Sequence, residues 1–316
     1  MSPLPPVSVS RREALCGGLC ACLGMGQLGH ASATAPPTAP PTSPLISKAI
    51  PSSGEKLPVI GLGTDSFRAS QSDSIRAEIG RMSELGGSVI DTAAAYGDSE
   101  ALIGSALTSL GIRARMFLAT KLTADGFFGG GGEASFHRSL ERLATQRIDL
   151  LQVHNLDGVD SLMPLLQKWK QAGSIRYLGV TTSRVSQHAD IAAAMRRYPL
   201  DFIQVDYSIA NRDAAASVLP LALERRVAVL VNLPLQRAAL IGQAAERQLP
   251  DWAADIDVSS WSQFFLKYVV SHPAVTCAIP GSTKLAHLED NQAAARGRMP
   301  DAAMRSRMEK FWDSMS

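Results

Sequence analysis

The feature that most constrains the fold is a repeated alternation of short β-rich runs with longer runs of helical period. Parallel strands need a crossover of a dozen or more residues, so this rhythm predicts βα units in one parallel sheet. Eight such units predict closure into a barrel. The eight strand-like runs are residues 59–62, 88–91, 116–121, 150–154, 177–181, 202–206, 228–232 and 275–279.

Other segments extend this barrel at both ends. Stretches such as residues 74–85, 133–143 and 213–224 have the amphipathic period of crossover helices. Residues 51–54, Pro-Ser-Ser-Gly, predict the turn of a hairpin before the first barrel strand. Beyond the last strand, residues 284–296 and 300–315 predict the final barrel helix and one extra helix, docked by Trp312. The predicted fold is therefore α/β: a (β/α)8 TIM barrel with an N-terminal hairpin and an extra C-terminal helix.

Glycine-rich segments bear on the competing architecture, a doubly wound open sheet. Such a sheet carries a three-glycine phosphate turn after its first strand, but here Gly61 and Gly63 are followed by Thr64 and no third glycine. Four glycines at residues 129–132 lack the lysine and Ser/Thr of a P-loop. We interpret them as a mobile βα loop. Whether the preceding residues 127–128, Phe-Phe, close over a substrate or belong to a disordered loop stays open.

Composition limits the class of partner. The chain has 316 residues, 46% of them hydrophobic, and a formal net charge of +2. After the first few dozen residues there is no apolar run long enough for a membrane span, and there is no Lys/Arg block for nucleic acid. The expected partner is a small molecule. Only Cys277 lies beyond the leader, so the body cannot rely on an internal disulfide.

The first 45 residues have the composition of a leader and a linker. Arg11 and Arg12 precede a glycine-diluted apolar stretch at residues 14–28, and Ala-Ser-Ala follows at residues 31–33. This pattern predicts a twin-arginine signal peptide over residues 1–33, which the export machinery would recognise. Residues 34–45 are a proline-rich linker, and residues 46–316 form the barrel. The alternatives are a disordered tail or a lipoprotein signal ending at Cys22. The expected location is periplasmic or exported, or cytoplasmic if the leader is not used.

Four polar residues fall at the ends of neighbouring strands, where a barrel gathers its catalytic groups. Asp91 ends the second strand, Tyr96 follows it, Lys121 ends the third strand and His154 ends the fourth. Reduction of a carbonyl by a nicotinamide needs a proton donor, and a lysine beside a tyrosine lowers the pKa of the phenol. A carboxylate can hold that lysine, and a histidine can orient the carbonyl oxygen. These residue types together favour Tyr96 as the proton donor.

Successive segments of the chain resemble the signatures of the aldo-keto reductase family. They are LPVIGLGT, DTAAAYG, FLATK and LLQVHN, in the family's order, and the resemblance spans residues 50–312. It implies an oxidoreductase that reduces an aldehyde or ketone to an alcohol with NADPH. It also implies that Asp91, Tyr96, Lys121 and His154 are the catalytic tetrad, with Tyr96 as general acid, Lys121 and Asp91 as its activating pair and His154 as the orienting group.

Later segments, LGVTTS, IQVDYS, VNLP and IPGSTKLAHLEDN, resemble that family's cofactor-binding segments. On this resemblance Thr181, Thr182 and Gln204 hold the nicotinamide carboxamide. A barrel also commonly binds phosphate after its last strands and at a helix N-terminus. Lys284 adds a charge for a 2′-phosphate, so NADP(H) is expected, with NAD(H) as the alternative. The remaining predicted cofactor contacts are Gly63, Thr64, Asn232, Pro234, Ser282, Thr283, His287, Asp290 and Asn291.

The chain departs from the family pattern around the cofactor. Asn232 stands where many members carry an aromatic residue that stacks on the nicotinamide, Thr182 stands where asparagine is frequent, and His287 replaces a common arginine. These departures leave one alternative function open: a regulatory protein that holds nucleotide on the same fold without turnover.

Two other kinds of site have less support in the sequence. A glycosidase on a barrel needs two carboxylates at strand ends, for which Asp206 and Asp91 are candidates, but Lys121 and Tyr96 would then have no role. The remaining histidines, such as His137 and His188, show no metal-ligand spacing, so no metal is expected.

Overall fold

The computed structural model describes residues 43–126 and 129–315. The predicted signal peptide, most of the linker and the Phe-Phe pair at residues 127–128 lie outside the described residues. Eight parallel strands form one sheet in chain order, as the repeated βα pattern predicts. They are β3 (Leu62–Gly63), β4 (Val89–Asp91), β5 (Phe117–Leu122), β6 (Ile148–Val153), β7 (Ile175–Thr181), β8 (Phe202–Asp206), β9 (Ala228–Asn232) and β10 (Val275–Ala278).

The sheet closes on itself between its first and last strands. The Gly61 amide donates to the Ala278 carbonyl at 2.8 Å, and the Gly63 amide donates to the Pro280 carbonyl at 3.0 Å. Closure depends on glycine at this seam, because a Cβ at Gly63 would lie 2.7 Å from the Ile279 oxygen. The predicted (β/α)8 barrel is confirmed.

The predicted strand bounds hold for β8 and β9 and differ by one to three residues elsewhere. The largest difference is at the first strand, predicted at residues 59–62. There the Val59 carbonyl and the Gly61 amide bond to Ala278 of the last strand, while Leu62 and Gly63 pair with β4. Strand pairing at this position is therefore shared between two neighbours, which no single-strand pattern reveals.

Helices occupy the outside of the barrel. They are α1 (Ser72–Glu84), α2 (Ser99–Leu110), α3 (Gly131–Arg142), α4 (Val159–Gln171), α5 (His188–Arg197), α6 (Asp213–Ala216), α7 (Val218–Arg225), α8 (Ala239–Ala244), α9 (Trp261–Val270), α10 (Leu285–Ala293) and α11 (Ala302–Asp313). Short 3-10 turns lie at Ala69–Gln71, Arg113–Arg115, His154–Leu156, Val185–Gln187 and Asp251–Ile256. The extra C-terminal helix is α11, and its Trp312 is buried as predicted.

Two helix predictions need correction. Residues 213–224 were expected to form one helix, but α6 and α7 are separated at Ser217, whose φ and ψ are −139° and −56°. Pro220 explains the break, because a proline ring clashes with the carbonyl four residues earlier, here that of Ala216. The glycine run was expected to be wholly a loop. Instead α3 begins at Gly131, and Gly130 precedes it with a left-handed φ of +84°.

The hairpin β1 (Ser47–Ala49) and β2 (Lys56–Pro58) lies against the end of the barrel where the strands begin. The Lys48 ammonium ties it there, donating to the carbonyls of Val270, His272 and Val275 at 2.7–2.8 Å. Burial lowers the pKa of Lys48 to about 8. The active end of a barrel is the opposite one, so the hairpin closes the floor.

The apolar core has two layers. One cluster lies between the strands and the outer helices, and a smaller one fills the barrel interior, including Phe117, Leu150, Phe202 and Cys277. Burial raises the pKa of the Cys277 thiol well above its usual value. Within the described ranges 43–126 and 129–315, no helix is long and apolar enough to cross a membrane.

Candidate active site

Strand alternation explains why polar side chains meet at one end of the barrel. Residues two apart on a strand point to the same face, so a strand that buries Phe117 and Ala119 in the interior also directs Lys121 inward. The same step leads from Val89 to Asp91 on the neighbouring strand. Similar steps direct Gln152, Thr181, Gln204 and Asn232 inward at the carboxyl ends of their strands.

The centre of the site is a buried ion pair. The Lys121 ammonium lies 2.5 Å from the Asp91 carboxylate and donates to the Thr92 carbonyl at 2.8 Å. Lys121 is 2% exposed and Asp91 is 3% exposed. Burial raises the pKa of Asp91, and the ammonium opposes that rise. Burial alone would lower the pKa of Lys121, but Asp91 and Tyr96 raise it overall, so the lysine stays charged.

Tyr96 lies in the loop after β4 and faces this pair. The Lys121 Nζ atom is 5.0 Å from the centroid of the Tyr96 ring. Burial raises the pKa of Tyr96, and the charge on Lys121 opposes the rise without overcoming it. Lys121 thus lowers the phenol pKa as expected, but burial outweighs this effect, so the pKa of Tyr96 lies above its ordinary value. Tyr96 is held as a protonated phenol, which is the form that a proton donor needs.

His154 completes the group from the start of the turn after β6. Its ring meets the Tyr96 ring edge-on, with centroids 5.9 Å apart. Burial, helped by the nearby Lys121 charge, lowers the pKa of His154 to about 4. The imidazole is therefore neutral near pH 7 and can donate one hydrogen bond to an oxygen placed above Tyr96. The structure brings together all four residues predicted from the sequence.

Next to this tetrad, two amide side chains keep unpaired acceptors. The Asn232 amide nitrogen donates to the Thr182 carbonyl at 2.8 Å, but its oxygen has no partner among the described residues. The Gln204 oxygen is likewise buried and unpaired. A buried acceptor without a donor is costly, and a carboxamide NH2 group carries two donors. The residues present therefore fit a nicotinamide carboxamide at this point.

The two threonines beside them are less available. The Thr181 hydroxyl accepts from the Asn155 amide at 3.0 Å. The Thr182 hydroxyl accepts from the Arg184 amide at 3.1 Å and donates to Gln187 at 2.6 Å. Both hydroxyls thus order the loop after β7. The contact with the cofactor that was predicted for them would have to form in addition to these hydrogen bonds.

A second group of predicted contacts lies around the start of α10. The Ser282 hydroxyl accepts from the Lys284 amide at 3.2 Å and donates to the Lys284 carbonyl at 2.9 Å. No side chain caps α10, and the side chains of Lys284 and His287 are exposed, while Thr283 is half-buried. Free amides at a helix N-terminus attract anions, so this end fits a phosphate group.

Asp290 and Asn291, which were predicted to contact the cofactor, form hydrogen bonds with other side chains of the protein. Asp290 accepts from Ser260 and from Gln263, both at 2.7 Å, and Asn291 accepts from Ser262 at 2.7 Å. These contacts fasten α10 to the first turn of α9. The two residues hold α10 in place, and direct contact with the cofactor, as predicted for them, would require these bonds to loosen.

The remaining predicted contacts lie around the rim of the site. The Thr64 hydroxyl donates to the Asp91 carbonyl at 2.9 Å and accepts from Ser99 at 2.8 Å, so it supports the strand that carries Asp91. Gly63 belongs to the seam, and Pro234 is buried in the loop after β9. Arg237 and Asp65 lie 2.8 Å apart. This ion pair, which the sequence did not indicate, joins the loop after β9 to the loop after β3.

Gln152 is a further neighbour that sequence reasoning missed. It stands two residues before His154 on β6, is fully buried, and with Gln204 it helps to keep the pKa of Asp91 down. Strand alternation was the signal that could have found it, since an inward glutamine breaks the apolar pattern of β6.

The glycosidase alternative loses support in this geometry. Asp206 lies 3.0 Å from His188 and accepts from the Asn211 amide at 2.5 Å, while Asp91 is paired with Lys121. Neither carboxylate is free to act as a general acid or nucleophile. Across residues 43–126 and 129–315, no group of three or more His, Cys, Asp or Glu side chains is placed to hold a metal ion.

Comparison with known proteins identifies the family of this chain. Residues 59–312 match the model of the aldo/keto reductase family. The chain is 31% identical over 220 residues to aldo-keto reductase YhdN of Bacillus subtilis, a match that covers 63% of this chain and 64% of that protein. It is 28% identical to methylglyoxal reductase YeaE of Escherichia coli, covering 81% and 92% of the two chains.

Solved structures agree on the fold. An aldo-keto reductase from Klebsiella pneumoniae, crystallised in complex with NADPH, superimposes with a TM-score of 0.73 at 24% identity. That match covers 85% of this chain and 96% of the other. Because the family model spans most of the barrel, the chain belongs to the aldo/keto reductase family.

Proposed function

We propose that this protein is an NADPH-dependent oxidoreductase that reduces an aldehyde or ketone to an alcohol, with Tyr96 as general acid. One observation carries the proposal: the half-buried Tyr96 ring lies 5.0 Å from the Lys121 Nζ atom and 5.9 Å from the His154 ring, measured to the ring centroids. This is the arrangement that delivers a proton to a carbonyl oxygen. Relatives named as reductases, including one that acts on methylglyoxal, support it.

The cofactor and each of the four residues have a separate role in the reaction. NADPH, when bound, supplies the hydride to the carbonyl carbon. The Tyr96 hydroxyl donates its proton to the carbonyl oxygen, so the product is the alcohol. The neutral His154 imidazole donates a hydrogen bond to the same oxygen and orients it. Lys121, held by Asp91, stabilises the phenolate that remains until solvent returns the proton.

Two groups of residues would hold the cofactor. Gln204 and Asn232 offer their unpaired oxygens to the nicotinamide carboxamide. Ser282, Thr283 and Lys284, with the free amides of α10, would bind the adenosine phosphate, and the lysine favours NADPH over NADH. Asn232 cannot stack as an aromatic residue would, so we expect hydrogen bonds to replace part of the lost stacking at the nicotinamide.

The test compares two conservative variants in purified protein. Tyr96→Phe removes the proton donor and should lower kcat with an aldehyde by roughly 10²- to 10⁴-fold while NADPH affinity stays unchanged. Tyr198→Phe, at a half-buried tyrosine that donates to Asp160 outside the site, is the matched control and should keep full activity. Equal activity in Tyr96→Phe would contradict its role. NADPH binding without turnover on any aldehyde, ketone or quinone would favour the regulatory alternative.

We further propose that the leader exports the folded protein through the twin-arginine route, with cofactor loaded before export and retained. The paired arginines at residues 11–12 and the glycine-diluted apolar stretch support this proposal. Replacement of both arginines by lysine should leave the protein uncleaved in the cytoplasm, as cell fractionation would show. Periplasmic protein isolated without any nucleotide would contradict cofactor retention.

A further inference from the structure

A carboxyl group that the mechanism does not use is buried beneath the phosphate-binding turn. Glu78 lies on the inner face of α1 with Ile75, Ile79 and Met82, and it is 1% exposed. Neither of its oxygens accepts a hydrogen bond of normal geometry among the described residues. The other members of this face are apolar, so packing alone gives no reason for a carboxylate at this position.

Ser282 is the polar group that faces Glu78. Its nearness lowers the pKa of Glu78, but burial is the larger effect and raises that pKa to about 7. The Ser282 hydroxyl is directed at the Lys284 carbonyl, 2.9 Å away, and leaves Glu78 without a true donor. Glu78 is therefore one side chain removed from the proposed phosphate site.

The other charged groups around the contact between α1 and α10 have partners or face solvent. On α1, Arg81 pairs with Glu84 and with Glu289 of α10. From the turn and first part of α10, Lys284 and His287 are exposed. Asp65 lies 3.7 Å from where a Gly281 Cβ would stand, and it pairs with Arg237. None of these groups forms an ion pair with Glu78, so its charge is not neutralised locally.

We propose that Glu78 determines how tightly the 2′-phosphate of the cofactor binds, and that its carboxyl must take up a proton when NADPH binds. This inference rests on the proposed function. A protonated Glu78 can donate to the Ser282 oxygen, so the Ser282 hydroxyl is free to turn and donate to a phosphate oxygen. An ionised Glu78 instead draws the Ser282 proton inward and adds a negative charge below the phosphate.

The proposal separates the two nicotinamide cofactors. NADPH places a phosphate dianion over Ser282, whereas NADH has only a hydroxyl there and needs no proton at Glu78. Cofactor choice by this protein should therefore change with pH: NADPH binding weakens as pH rises through 7, and NADH binding does not.

Calorimetry of NADPH binding at pH 8 in two buffers of different ionisation enthalpy measures the proton directly. At that pH the free 2′-phosphate is already a dianion, so it contributes no proton of its own. With Glu78 ionising at about 7, the wild type should take up roughly 0.9 proton per NADPH and none per NADH. Its Kd for NADPH should rise about 15-fold between pH 7 and pH 8.5.

Variants locate the effect. Glu78→Gln keeps the shape of the side chain and should abolish both the proton uptake and the pH dependence, with NADPH bound more tightly than by wild type at pH 8.5. Glu78→Met is an apolar second variant if the glutamine impairs folding. Glu84→Gln, an exposed glutamate on the same helix, should behave as wild type. His287→Gln tests the one histidine on α10.

Three outcomes would overturn the inference. The first is NADPH binding by wild type without proton uptake. The second is uptake that persists in Glu78→Gln but disappears in His287→Gln. The third is failure of the wild type to bind either nucleotide, which would remove the proposed function as well. The first two leave the proposed function intact, so the two failures are distinguishable.

Discussion

At the scale of single residues, the site controls protonation mainly by burial. Tyr96 and His154 both have pKa values moved away from neutrality, the phenol upward and the imidazole downward. The charge of Lys121 helps to lower the pKa of His154 and opposes the rise of the pKa of Tyr96, and removal from water is the larger effect on both. Both groups are therefore uncharged hydrogen-bond donors over the physiological range, and only the Lys121 and Asp91 pair is ionic.

This predicts the pH profile of catalysis. With NADPH saturating, kcat/KM for an aldehyde should be flat between about pH 5.5 and 8.5. The pKa of His154 is about 4, so its ring is neutral throughout this range. The pKa of Tyr96 is raised, so its hydroxyl keeps its proton throughout this range. The alkaline limb should appear above about pH 10. Stopped-flow rates across this range check it, and an inflection between pH 6 and 8 would show that the phenol pKa is lowered after all.

At the scale of elements, glycines set how closely helices pack. Gly104 of α2 lies against the end of α3, where a Cβ would come within 2.2 Å of the Arg142 carbonyl oxygen. Gly80 of α1 has room, since a Cβ there would meet the Leu110 side chain at an ordinary 3.6 Å. Both glycines lie within helices, but only Gly80 has room for a Cβ atom, so the two positions form a matched pair.

Alanine substitution should separate them. Gly104→Ala should lower the free energy of unfolding by about 2–3 kcal/mol, because backbone must move to admit the methyl group. Gly80→Ala should raise it by about 0.5–1 kcal/mol, because alanine is the better helix former. Denaturant melts of both variants provide the comparison. Equal stability of the two would mean that the α2 and α3 backbones adjust without cost.

How far the sequence predicts these elements depends on what sets each one. Strands and helices with strong periodicity follow from local pattern, as the agreement at β8 and β9 shows. The break between α6 and α7 follows from Pro220 and could have been predicted from that proline. The apolar pattern continues across the break, and it favoured one continuous helix. The proximity of Asp91, Tyr96, Lys121 and His154 was predictable, because strand ends come together at one end of a barrel. Glu78 was not, because its burial depends on α10, far along the chain.

At the scale of the whole molecule, the barrel is completed by its shortest strand. β3 has two residues, and the seam to β10 is made by a few backbone bonds near Gly61 and Ala278. No local sequence pattern specifies this pairing, since it joins segments more than 200 residues apart. Closure depends instead on eight units of similar length and on glycines that admit close backbone contact.

The seam should nevertheless be as stable as the rest of the sheet. Hydrogen exchange followed by mass spectrometry should show peptides over residues 59–63 and 275–281 protected to the same degree as β5 and β6. Gly63→Ala should raise exchange in these two peptides first, because its methyl group would press on the Ile279 carbonyl. Rapid exchange at the wild-type seam would indicate an open sheet.

Cys277 gives the barrel a built-in chemical reporter. From residue 34 onward it is the sole cysteine, its sulfur is enclosed by the interior layer, and it is carried by the strand that completes the ring. A thiol reagent can reach it only when the ring opens, and the raised pKa suppresses reaction until then. The labelling rate of one native atom therefore measures how often the cylinder opens, with no engineered probe.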